Sequence, residues 1–472
     1  DQDERRDMIR KGLLAKAEEL GGNVWHNADL LEEINYLVEY PTPLYGRIDE
    51  EFLKLPVPAV VTPMRDHQRY YPVRNEDGSL MPYFLTVRNG GTKAIHNVQI
   101  GNERVLRARL DDAKFFFEND RKKSLEGHRE DLTRINYQEG MGTMLDKADR
   151  LQKLSDFICD GWNLSADEKA DAERAAYLSK SDLATGMVTE FTELQGEMGK
   201  EYALLDGEKK NVAQAIFEQY MPRFAGDILP QESIGRVLSM ADKLDNLAAT
   251  FLRGLIPTGS QDPFALRRQT IGAVNILTDG GIHWDIREGI RKALELLPGE
   301  KEAKETALGQ IEEFFRQRIK AIMLDEGIAY DIIDAVLAGP VDDIEALFLK
   351  ARAMAESQLK DETDLRQAVT RLANITKDKE GGAVDPSLFE VEYEKNLQAA
   401  LDEVKAEVLP LYKEYQYGKA LASLKKLTAP INDYLDNVMV MVDDEKVKAN
   451  RVSQLISALD LFRAWGDFSK LV

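Results

Sequence analysis

The sequence predicts a multidomain, predominantly α-helical protein that opens on an α+β domain. Three observations carry this expectation. At 472 residues the chain exceeds what one hydrophobic core organises, and the usual domain size divides it into roughly three or four parts. From about Gly140 onward, apolar residues recur at three- and four-residue spacing, the period of a helix with one buried face. Before that point β-branched and aromatic runs are mixed with helical ones, and an Asp-Gly pair separates two of them.

In chain order, helices are expected at Leu30 to Val38 and at Asn102 to Phe117, where Val105, Leu106, Leu110 and Phe117 approximate one face. Between them, Val57 to Thr62 is a short β-branched run bounded by prolines. Tyr70 to Val73 and Leu80 to Val87 flank Asn75-Glu76-Asp77-Gly78, a hairpin turn signal. Residues 1–135 therefore read as an α+β domain. In 136–285 the stripes Ala148, Leu151, Leu154, Ile158 and Ile234, Val237, Leu238, Ala241, Leu244, Leu247 each mark a buried helix face. A breaker-rich connection follows at Ile256-Pro257-Thr258-Gly259-Ser260, with Pro263 close behind. Helices at Asp285 to Leu297 and Thr306 to Met323 make 286–340 a helical linker, and Gly339-Pro340 marks its end. The last part, 341–472, reads as a helical bundle with stripes Leu397, Leu401, Val404, Val408 and Val452, Leu455, Ile456, Leu459, Phe462. The loop between them carries Gly381-Gly382 and Pro386.

Composition narrows the class without naming it. Hydrophobic content of 43% and charged content of 31% are those of an ordinary globular protein. No apolar run approaches the ~20 residues that span a bilayer, so no membrane partner is expected. The single cysteine, Cys159, has no internal partner for a disulfide, and a reducing cytoplasm is the expected compartment. A net charge of −21 points away from nucleic acid, since phosphate neutralisation supplies most of the affinity of nucleic-acid binders. Local basic clusters stand against that global balance: Arg65, His67, Arg69; Arg104, Arg107, Arg109; Arg121, Lys122, Lys123; and Lys446, Lys448, Arg451.

Three longer stretches are not demanded by any periodicity: AYLSKSDLATGMVTEFTELQGEMGKEYALLDGE from Ala176, SMADKLDNLAATF from Ser239 and IPTGSQDPFALRR from Ile256. With VVTPMRDHQRYYPV and GNERVLRARLDDAKFFFEND upstream and DNVMVMVDDEKVKANRVSQL downstream, they resemble the β subunit of the bacterial two-subunit glycyl-tRNA synthetase over nearly the whole chain. The resemblance implies an N-terminal domain like the one near the editing site of phenylalanyl-tRNA synthetases, a central HD-like helical domain and a C-terminal DALR-type anticodon-binding bundle. It implies a chain that handles glycine tRNA and makes no DNA contact, working with an α subunit in an α2β2 heterotetramer, with ATP and magnesium held at the α subunit. It also implies a further N-terminal region before Asp1, so that this sequence is a truncated form.

No catalytic or metal-binding residues are expected within the chain. In HD-type phosphohydrolases histidines, a His-Asp pair and a last aspartate grip a divalent ion whose bound water is activated. Asp242, in Ala241-Asp242-Lys243-Leu244-Asp245, matches that last aspartate. The histidines are His26, His67, His96, His128 and His283; none precedes an aspartate and none falls between Tyr177 and Asp245. Asp242 and Asp245 are therefore expected to pair with lysine or arginine, or to face solvent. Synthetase ATP-binding signatures, a P-loop and a glycine-rich dinucleotide turn are likewise missing from the sequence. An HD-type hydrolase and an acidic interaction scaffold that never touches RNA stand as alternatives.

Glycine anticodons end in two cytosines, which are read by groups that accept from the exocyclic amine and donate to the ring acceptors. Arg371, Asn374 and Lys377 lie at three-residue spacing on one helix face and match the family's basic helix in this domain, although that pattern is more basic than the sequence here. Lys446, Lys448 and Arg451, at the start of the last helix, are further candidates. Arg267 and Arg268 close the Pro263-Phe264-Ala265-Leu266 turn. As neighbours they point apart, so at least one is expected to be structural, with an acceptor-stem contact as the second reading.

Overall fold

The structure is a computed structural model and describes residues 1–357 and 363–471. They divide into two compact units, one of 1–159 with 164–242 and one of 160–163 with the chain from 243 onward. The division falls inside the helix Ser233–Leu252 and is coarser than the four parts expected from the sequence.

In the first unit a four-stranded antiparallel sheet has the order β1-β3-β4-β2, with β1 at Asn23–Val24, β2 at Pro41–Arg47, β3 at Tyr71–Arg74 and β4 at Leu80–Asn89. The Asp-Gly signal is where the chain turns between β3 and β4. Gly78 takes φ +84°, which favours glycine, and its N–H donates to the Asn75 carbonyl at 3.0 Å. Strand β2 carries prolines at 41 and 43, which hide it in the sequence. It pairs with β4 from Pro41 opposite Asn89 to Arg47 opposite Tyr83, and it lies at the sheet edge, where a missing N–H is tolerated. The β-branched run Val57–Thr62 is a helix, not a strand. Prolines suit its first turn, and Ala59, Val60 and Val61 are all buried.

A helix at Gln2–Glu19, which the dense charge of its sequence hides, buries Ile9, Leu13 and Ala17 at four-residue spacing against the sheet residues Tyr71, Val73 and Leu85. The helix expected at 102–117 runs from Ile95 to Asp120. Its buried stripe is Leu106, Leu110 and Ala113; Val105 is exposed, because a neighbour of Leu106 lies off the stripe. Asp120 ends this helix by accepting the N–H groups of Gly186 and Met187 at 2.7 and 2.9 Å and the Tyr202 hydroxyl at 2.7 Å. The remaining helices of the unit include Met144–Gly161 and Ala166–Leu178, the latter opened by a capping box between Ser165 and Glu168.

The second unit is helical. The expected helices are present at Ile286–Glu295 and Lys301–Asp325, and the breaker-rich connection is irregular apart from a Thr258–Gln261 bridge. The C-terminal bundle contains helices Thr363–Thr376, Glu392–Lys413, Tyr417–Leu424, Thr428–Asn437 and Glu445–Arg463. Leu397, Leu401, Val404 and Val408 are buried as a stripe, as are Val452, Leu455, Leu459 and Phe462. The loop at Gly381-Gly382 lies flat on the last helix. A Cβ at Gly381 would stand 2.9 Å from the Ile456 side chain, and the Gly382 N–H donates to the Ser453 hydroxyl at 2.9 Å.

Candidate nucleic-acid interface

Most of the basic clusters legible in the sequence are neutralised within the fold. Arg65 pairs with Asp66, Arg69 with Glu33, Arg107 with Asp49, Arg121 with Asp206 and Lys123 with Asp131, all at 2.5–2.8 Å. His67 sits against Glu193. A cation already paired gains little by exchanging one carboxylate for a phosphate, so these positions account for little RNA affinity.

The C-terminal bundle contains an exception. Between helix Thr363–Thr376, the end of helix Glu445–Arg463 and the segment before helix Ile344–Glu356 lies a groove of about 750 Å³, lined by Asn374 and Lys377 together with Lys350, Arg463 and the backbone around Ala464–Gly466. Helical spacing puts Asn374 and Lys377 on the same side, and both are exposed. Neither side chain makes a hydrogen bond or ion pair among the described residues. Lys350 donates to the Ala464 carbonyl at 2.9 Å. Burial pushes its ammonium below the ordinary lysine value, while Asp342 and Asp343 oppose that shift. The ammonium also lies 5.4 Å from the Tyr417 ring centre, and with one carbonyl as its hydrogen-bond partner it has donors left for an acceptor or anion in the groove. The groove thus offers two ammonium groups and an amide that both donates and accepts; Arg463 is already paired with Asp460 at 3.2 Å, and Asp342 and Asp467 also line the groove. The ammonium groups and the amide are a set able to hold a phosphodiester and read a base edge.

The other candidates fall elsewhere. Arg371, on the same helix, turns away to Asp436 at 2.7 Å and Asn432 at 3.5 Å. Lys446 is exposed in the first turn of the last helix, and Lys448 pairs with Glu445 at 3.2 Å. Arg451 is corrected from an RNA contact to an interior residue. Its side chain is 5% exposed and donates to Glu394 at 2.9 Å, to Glu390 at 2.8 Å and to the Met439 carbonyl at 2.9 Å. No nucleic acid reaches a guanidinium so enclosed. Arg267 ties its own turn, its guanidinium donating to the Gly259 carbonyl at 2.6 Å while its backbone N–H caps on Asp262. Arg268 is exposed and points out. Lys350 and Arg463 were not visible in the sequence as site residues, because a single cation on an amphipathic helix carries no spacing signal.

The last-aspartate position of the HD-like segment has a different chemistry. The Asp242 side chain is 9% exposed, and its Oδ1 lies 3.1 Å from the Lys147 ammonium and 3.0 Å from that of Lys180. Lys180, at φ +66°, also sits 4.0 Å from the Tyr220 ring centre, and Lys147 sits 4.6 Å from that of Tyr137. Burial lowers the Lys180 pKa, the Asp242 carboxylate opposes that shift, and the neighbouring Lys147 adds to it. Two ammonium groups on the Asp242 carboxylate oppose the approach of a divalent cation there, and among the described residues no group of three or more His, Cys, Asp or Glu side chains could hold one. The residues present do not fit the metal that HD hydrolases use.

The sequence model described as glycyl-tRNA synthetase beta subunit matches residues 1–338, and that described as DALR anticodon binding domain matches 365–463. The chain is 46% identical over 473 aligned residues to the glycine–tRNA ligase beta subunit of Clostridioides difficile, covering 100% of this chain and 68% of that protein. It is 42% identical to the beta subunit of Desulforamulus reducens, covering 100% and 68%, and 43% identical to that of Shouchella clausii, covering 100% and 69%. The chain belongs to the glycyl-tRNA synthetase β-subunit family. Within that family assignment, Asn374, Lys377 and Arg463 fall inside the segment matched as anticodon binding, while Lys350 precedes it. Asp242, Arg267 and Arg268 fall inside the β-subunit match.

Proposed function

We propose that this chain binds glycine tRNA and positions it for ATP-dependent glycylation at the active site of an α subunit, within an α2β2 enzyme of the cytoplasm. ATP and magnesium belong to the α subunit on this reading, and this chain does not itself activate glycine. The observation that carries the proposal is the groove at Lys350, Asn374 and Lys377: two ammonium groups with no carboxylate at ion-pair distance among the described residues, in an acidic chain, inside or beside the segment matched as anticodon binding. Holding the anticodon at one point and the tRNA body at others converts binding free energy into placement of the 3′ end. The HD-hydrolase alternative is disfavoured by the lysine pair on Asp242.

The expected result is tRNA binding whose affinity falls steeply with salt, and no ATP–pyrophosphate exchange from the chain alone. Exchange without a partner would overturn the division of labour. Failure to bind glycine tRNA even with the α subunit present would favour a scaffold.

Two substitutions sort the groove. Lys377→Ala should weaken binding of all tRNAs alike and lower the salt slope by about 1. Asn374→Ala should instead reduce discrimination against tRNAs altered at the anticodon cytosines, by about 1–3 kcal/mol, with little change in salt slope. Equal effects of both variants on all tRNAs would remove the base-reading role of Asn374. Nitrocellulose-filter titrations at several salt concentrations give both quantities.

A further inference from the structure

A second cluster escapes the neutralisation that silences the others. Where β2 ends and the long helix Ile95–Asp120 passes, a pocket of about 380 Å³ opens in the first unit. Its floor is apolar: Ile48, Phe52, Leu106 and Leu110 are buried there. Its rim carries Arg47, Arg104 and Arg107, with Asp49 and Glu103.

The acids on the rim are already engaged. Asp49 holds Arg107 at 2.8 Å. Glu103 accepts the Arg47 backbone N–H at 2.8 Å and the Gln99 amide at 3.0 Å. The guanidiniums of Arg47 and Arg104 are exposed, and neither makes an ion pair or hydrogen bond among the described residues. Arg104 lies one helical turn beyond Ile100, which is 41% exposed at the same pocket. The pocket therefore joins two unpaired forked donors to an apolar wall and floor, at a volume within the ~300–1,000 Å³ of ordinary ligand sites.

A guanidinium fork matches the oxygens of a phosphate, and its flat face stacks on a base. An unpaired nucleotide is the ligand with both parts: an anionic phosphate for Arg47 and Arg104, and a planar, weakly polar ring for Ile100 and the guanidinium face. A paired helix presents phosphates without a free base and would leave the apolar wall bare. We infer that the pocket bounded by Arg47, Arg104 and Ile100 binds an unpaired nucleotide of the tRNA that this chain handles, at a site distinct from the bundle groove. The inference rests on the tRNA-binding reading above.

The test uses the complete synthetase carrying Arg47→Ala, Arg104→Ala or Arg104→Glu in this chain, titrated with glycine tRNA across a salt series. Each side chain is exposed and unpaired, so circular dichroism and melting should match the unsubstituted protein. Each alanine variant is expected to lose about 3- to 10-fold in tRNA affinity and to lower the salt slope by about 1, and Arg104→Glu to lose more. Ile100→Ala should lower affinity without changing the slope. Adenosine monophosphate, used as the free-nucleotide probe, lacks the rest of the RNA contacts and should compete with tRNA only weakly, at millimolar concentration. Unchanged affinity and slope in both alanine variants, while Lys377→Ala still weakens binding, would overturn this pocket and leave the tRNA reading standing. Saturable adenosine monophosphate binding that Arg104→Ala abolishes, with tRNA affinity intact, would assign the pocket to a free nucleotide and also overturn the proposal. Absence of tRNA binding by the unsubstituted enzyme would instead sink the underlying reading.

Discussion

Asp242→Asn is expected to destabilise the first unit by about 3–5 kcal/mol, the cost of breaking a buried ion pair by removing one partner. Asparagine keeps the shape and removes only the charge, taking from the ammonium groups of Lys147 and Lys180, both 3% exposed, the carboxylate they share. The effect carries a pH signature. Burial already holds the Lys180 pKa below the ordinary value of 10.5. Between the folded and unfolded values the unfolded chain binds more protons, so stability rises with pH across that window. Losing the carboxylate lowers the folded value further and widens the window. The deficit of the variant should therefore shrink as pH is raised toward 10.5, as neutral lysine becomes accessible in the folded state. Adding Lys180→Met to Asp242→Asn should recover part of the loss, giving a non-additive double-mutant cycle. Urea denaturation at several pH values measures all of this. A variant as stable as the parent, or one rescued by millimolar magnesium or manganese, would mean that the carboxylate serves something other than the two lysines.

How far the sequence foretold this molecule depends on the distance over which each feature is determined. The Asn75–Gly78 turn was legible because four consecutive residues specify it. The buried stripes of the C-terminal bundle were legible because helical period is a local property. Strand β2 was not, since its prolines are tolerable only at a sheet edge, and edge position is a tertiary fact. The site divides the same way. Asn374 and Lys377 follow from spacing on a single helix. The fate of their neighbour Arg371 was decided by Asp436, 65 residues away. Lys147 comes from helix Met144–Gly161 and Lys180 from the turn after helix Ala166–Leu178, so the sequence indicated that this aspartate lacks histidine partners but not which cations replace them.

Arg451 shows the same limit from the interior, and its replacement by methionine is the second large effect expected, a loss of about 3–5 kcal/mol. Glu394, fully buried, is the partner left behind. Burial by itself pushes the Glu394 carboxyl up, but the bonds from Arg451 and from the Val391 and Glu390 N–H groups outweigh it and hold the pKa below the ordinary 4.5. A depressed carboxylate contributes stability above its unfolded value and loses it as pH falls through the folded one. The unsubstituted chain should therefore weaken as pH drops below about 4.5 through this pair. In Arg451→Met burial regains its weight, the Glu394 pKa rises, and the gap between the two proteins should narrow in acid. The functional readout separates this role from RNA contact. At a temperature where both proteins are folded, Arg451→Met should bind tRNA with an unchanged salt slope, whereas Lys377→Ala keeps its stability and loses slope. A stable Arg451→Met protein with a reduced salt slope would return Arg451 to the RNA surface, and would require the Glu394 pair to open when the nucleic acid arrives.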